Sequence, residues 1–239
     1  MIGLGRVLSS DFIKIRRTWI WVLIFLGPFG VISLQALNFG IRYDYLVTRY
    51  ASDLWGALLE QVSSLAMVAL LFGITLVASM IAGLEHKQHS WKQVLALPIS
   101  RTSVYTSKLI LCLILLFVSC LLLVVGTVIL GVGLGFGWEV PWTKLLSNCF
   151  YPLGAAMPIV ALQLWLSIVV RNQAVSLTVG ILGTVVSLFS FAMPDWFPYK
   201  WIHLAIKSHV PEHLVMAGLA AGAIVYGFSV IHFFRKDVN

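Results

Sequence analysis

Residues 109–125, LILCLILLFVSCLLLVV, decide the fold class. The stretch carries no Asp, Glu, Lys or Arg, and it lacks the alternation of apolar and polar positions that a membrane β-strand shows over about ten residues. It reads as a helix in hydrocarbon. Outward from it the same feature recurs, because charged residues divide the chain into uncharged runs at 18–41, 61–84, 109–138, 145–170, 172–194 and 213–234. Each exceeds the ~20 residues that a helix needs to cross a bilayer core. The whole chain, 239 residues at 60% hydrophobic and 10% charged, lies far from the roughly 25% charged content of soluble domains.

The expectation is one all-α integral membrane domain over 1–239, with six spans near 18–40, 61–84, 109–135, 148–170, 173–193 and 213–234. Before the first span, Leu4, Val7, Leu8, Phe12 and Ile15 fall near helical spacing among Arg6, Lys14, Arg16 and Arg17, which predicts an amphipathic helix in the interface. The apolar run that follows is too long for a signal peptide and has no small-residue cleavage site after it, so it is expected to be retained. Within that run Gly27 and Pro28 permit a kink, provided a neighbouring helix satisfies the freed carbonyl. Gly131/Gly135, Gly133/Gly137 and Gly218/Gly222 have the spacing that allows close helix approach, inside one bundle or between two copies.

Charge placement gives an orientation. With the N-terminus cytoplasmic, eleven Lys and Arg fall inside and five outside, the latter being Arg42, Arg49, Lys144, Lys200 and Lys207. That asymmetry puts both termini in the cytoplasm of a cell-membrane protein. The formal net charge of +7 is then a topology signal and an attraction to anionic lipid, with no nucleic-acid partner implied. Cys112, Cys120 and Cys149 have no metal or redox spacing and read as buried hydrophobes.

Proton relays and ion-coupled carriers need ionisable groups at membrane depth. None of the uncharged runs supplies one, so any uphill transport would be powered by a partner. Gln35, Asn38 and Gln163 are read as helix-to-helix hydrogen bonds. One catalytic pattern matches literally: His209, Glu212 and His213 in HVPEH have the H-x-x-E-H arrangement of some zinc hydrolases. Pro211 interrupts it, because a helix beginning there leaves His209 outside. A zinc-dependent membrane hydrolase is therefore the alternative rather than the main reading, as is a scaffold that merely recruits a cytoplasmic protein. No P-loop motif occurs in the chain.

Residues 83–109, GLEHKQHSWKQVLALPISRTSVYTSKL, form the longest water-exposed passage. Trp91, Val94, Leu95 and Pro98 share one helical face, with Lys92 on the other. The passage resembles the cytoplasmic segment between the second and third spans of type-2 ABC exporter permeases, through Glu85, Trp91, Lys92, Leu95, Leu97, Pro98, Ser100 and Arg101. The likeness extends to the N-terminal helix, the six spans and the basic C-terminal end, and is strongest to the small permease subunits of lantibiotic-immunity and bacitracin-resistance exporters.

The resemblance implies a coupling helix near 88–97 that docks into a separate ABC ATPase. The ATPase-coupling residues are then Glu85, Trp91, Lys92, Val94, Leu95, Leu97, Pro98 and Arg101, with Glu85 pairing with Arg101 or capping the helix. It further implies two ATPase copies that bind ATP and Mg, a second permease chain, identical or related, and an amphipathic or lipid-like cargo. The chain itself would carry no cofactor, metal or catalytic residue.

Overall fold

The computed structural model describes residues 4–87, 100–170, 172–208 and 210–235. All regular structure among them is helical. The amphipathic start forms α1, Leu4–Ile15, whose buried stripe is Val7, Asp11 and Ile15. Next comes α2, Ile20–Ile41, which runs through Pro28. A proline at 28 leaves the carbonyl of Ile24 without its intrahelical donor. The hydroxyl of Ser119, on the helix packed alongside, donates to that oxygen at 3.3 Å.

A short α3, Tyr43–Arg49, leads into α4, Leu54–Lys87, a 34-residue helix of about 51 Å at 1.5 Å per residue. α4 is central, packing on α2, on α5 (Arg101–Gly133) and on two later helices. α5 starts cleanly because the Ser100 side chain accepts from the Ser103 amide at 3.1 Å, an N-cap. It ends at Gly133, two residues short of the expected boundary. Gly135 and Gly137 have φ of +82° and +87°, so they make the turn that leaves the helix.

The fourth run is bent. α6, Trp142–Ala155, and α7, Met157–Val169, meet at 48° around Ala156. Against this break lies α10, Pro211–Arg235. A Cβ on Gly218 would fall 2.5 Å from the Gly154 carbonyl and one on Gly222 2.7 Å from the Met157 Cβ, so this glycine pair serves close packing within the chain. α8, Gln173–Leu188, is capped by Asn172 and is 16 residues long, about 24 Å. A 3-10 turn, Ser190–Ala192, and amphipathic α9, Pro198–Lys207, complete the chain before α10.

Among the described residues, four helices, α2, α4, α5 and α10, are long and apolar enough to cross a membrane, and the α6–α7 pair makes a fifth if the bent pair is one span. The fifth apolar run, expected to be the fifth span at 173–193, gives a helix that stops at Leu188, shorter than a span needs.

Two apolar clusters fill the bundle. One gathers Ile15, Ile24, Ile74, Leu115 and Val160; the other gathers Val31, Phe39, Trp55, Leu58 and Leu145. All three cysteines are buried and free.

Candidate functional site

Three pieces of chain meet at the end of the bundle where α1 lies. α1 brings Asp11 and Lys14, the last turns of α4 bring Glu85, and the first turns of α5 bring Ser107 and Lys108. Glu85 Oε1 accepts from Lys14 Nζ at 2.7 Å and from Lys108 Nζ at 3.0 Å. Lys108 Nζ also donates to Asp11 Oδ1 at 3.5 Å, and the Ser107 hydroxyl donates to Asp11 Oδ2 at 2.8 Å. Lys14 stands 4.0 Å from Asp11. Two acids and two bases thus alternate.

The side chains of Glu85 and Lys108 are 2% and 3% exposed, Asp11 is 7%, and Lys14 reaches out at 32%. Burying single ions costs several kcal/mol each, an expense tolerable only when every charge is paired and hydrogen-bonded. The cluster therefore ties the end of α4, the start of α5 and α1 together in a joint. Moving the end of α4 against the start of α5 requires either breaking a buried pair or carrying α1 along.

Of the expected coupling residues, Glu85 lies in this joint and Arg101 is the first residue of α5. Glu85 pairs with lysines from both α1 and α5. Trp91, Lys92, Val94, Leu95, Leu97 and Pro98, with the expected coupling helix at 88–97, lie outside the described residues. The joint does close across their chain ends, since Glu85 precedes that segment and Lys108 follows it.

Asp11, Lys14 and Lys108 are what the reading of charge-free runs missed. α4 extends past its uncharged run at both ends and α5 past its own at the start, so that Glu60, Glu85, Arg101 and Lys108 lie within helices. A signal was present. Asp11 stands four residues from both Val7 and Ile15, on the apolar stripe of α1, where a lone acid has no place without a cationic partner.

The polar residues of the spans bond between helices as expected. Gln163 donates to the Ser176 carbonyl at 2.9 Å, joining α7 to α8, and Gln35 donates to the Gln61 carbonyl at 3.1 Å, joining α2 to α4. Glu212 and His213 are exposed in the first turn of α10, which begins at Pro211, while His209 lies outside the described residues. No group of three His, Cys, Asp or Glu side chains suited to a metal gathers among the described residues.

The bundle defines a multi-pass helical membrane protein whose most elaborate polar feature is a joint between helices. Residues 7–187 match the family model described as ABC-2 family transporter protein, and with well over half of the chain covered, the chain belongs to that family. Membership implies an ATPase partner. No curated protein and no solved structure gives a significant match.

Proposed function

We propose that this chain is the membrane-spanning permease subunit of an ATP-driven exporter, worked by a separate ATPase through residues 88–97. The observation that supports it, beside family membership, is the Glu85–Lys108 pair, which ties together the two helices flanking that segment and ties both to α1. A push on the segment would be passed to α4 and α5 as one unit, because a buried pair resists separation. Both termini are cytoplasmic in this reading, in keeping with the Lys and Arg asymmetry. Two ATPase copies and a second permease chain complete the exporter, and the cargo is amphipathic or lipid-like, with peptide antibiotics the favoured class.

Copurification tests the assignment. The full chain should bring down an ABC ATPase and raise its hydrolysis. Trp91→Ala should weaken that association about thirtyfold, the effect of losing roughly 2 kcal/mol from an aromatic anchor. Full ATPase binding by Trp91→Ala would remove the coupling-helix proposal.

A further inference from the structure

At the opposite end of the bundle, α2 and α4 enclose a cleft of about 500 Å³. Leu34, Ala57 and Leu65 give it apolar walls, and its polar lining comes from Gln35, Asn38, Tyr50, Glu60 and Gln61. These groups differ in how their hydrogen bonds are spent. Asn38 Nδ2 donates to Gln61 Oε1 at 2.5 Å and to Gln35 Oε1 at 3.2 Å, while Gln35 Nε2 donates to the Gln61 backbone carbonyl. Each amide is thereby fixed in orientation. Left over are the acceptor Asn38 Oδ1, the donor Gln61 Nε2 and both oxygens of Glu60, which have no partner among the described residues.

Glu60 is exposed and is the one carboxylate lining the cleft. The ring of Tyr50 adds an electron-rich surface, with the Arg49 guanidinium 5.5 Å from its centroid. Arg49 is itself engaged by Tyr45, whose hydroxyl accepts from Nη1 at 2.5 Å.

We propose that this cleft binds the primary ammonium group of an amphipathic molecule. Glu60 and Asn38 Oδ1 receive the N–H donors, and Leu34 and Leu65 take the alkyl chain. Gln61 Nε2 is left to donate to a neighbouring carbonyl oxygen, such as the one next to a peptide amine. A carboxylate between apolar walls favours this head over a neutral or anionic one of the same length, because a charge-assisted hydrogen bond is about twice as strong as a neutral one. The site's place in transport rests on the permease reading; the binding does not.

The test uses the full chain in phosphatidylglycerol nanodiscs and a diazirine-bearing octylamine, with crosslinked peptides mapped by mass spectrometry. Crosslinks should concentrate in residues 34–65 and be suppressed by octylamine but not by octanol or octanoate. Glu60→Gln should cut capture roughly tenfold, as expected for losing a hydrogen bond to a charged group, and Glu60→Asp should retain most of it. Equal competition by octanol, or undiminished capture by Glu60→Gln, overturns the proposal.

Repeating the capture in phosphatidylethanolamine discs separates the two sources of the same chemistry. Suppression there assigns the site to a lipid amine headgroup, and persistence assigns it to an amine cargo. If capture depends on Glu60 while the copurified ATPase is not stimulated by this chain, the permease reading fails and the ammonium site stands.

Discussion

The two ends of α4 hold acids in opposite circumstances. Glu85 is buried between two lysines, whereas Glu60 is exposed on a cleft with its oxygens uncommitted. Next to Glu60 the helices are joined by neutral amides, and next to Glu85 by ions. The difference teaches what each end is suited to do. Paired charges resist separation and suit transmission of force, while an unspent carboxylate in an open cleft suits recognition.

The largest expected effect lies at the charged end. Lys108→Met removes a buried cation that pairs with Glu85 at 3.0 Å and the nearer of the two lysines beside Asp11, which should lower stability by about 3–5 kcal/mol in thermal or steric-trapping measurements. Adding Glu85→Gln to Lys108→Met removes the buried acid that has lost a cation and should restore part of that loss. Transport-linked ATP hydrolysis should remain low in the double variant if the joint transmits force. Recovery of stability and coupled hydrolysis together would make the cluster only a structural fastening.

At the other end the same kind of deletion should matter less. Asn38→Ala removes hydrogen bonds to Gln61 and Gln35 and should cost about 0.6–1 kcal/mol, the usual range for neutral side-chain bonds between membrane helices. A loss as large as that from Lys108→Met would erase the contrast between the ends.

The smallest effect concerns pH and lies on α9, outside both clusters. The imidazole of His203 is held below its usual 6.5 by burial, and then by Lys207 and Lys200. The unfolded chain therefore binds more protons below about pH 6.5, so stability is fullest above that value and declines as pH falls toward the folded pKa. The melting midpoint should drop slightly between pH 7.5 and 5, and His203→Gln should flatten the drop.

The helical membrane class was legible in the sequence because a long uncharged run can satisfy its backbone in hydrocarbon only as a helix. The amphipathic α1, the interhelical role of Gln35 and Gln163 and the burial of the cysteines followed from local pattern. Helix ends were less legible. The expected span to residue 135 stops at Gly133, since only backbone geometry shows Gly135 and Gly137 to be turn residues, and the run at 172–194 yields a helix that ends at Leu188.

By itself the sequence determined the solvent this chain lives in, because hydropathy is a property of composition summed along a run. Tertiary structure alone decided which charges meet. Asp11, Glu85 and Lys108 are separated by 74 and 23 positions, and no local spacing brings them together. Their meeting depends on how α1, α4 and α5 pack, for the energy of a buried ion is set by the partner within a few ångströms and not by its neighbours in the chain.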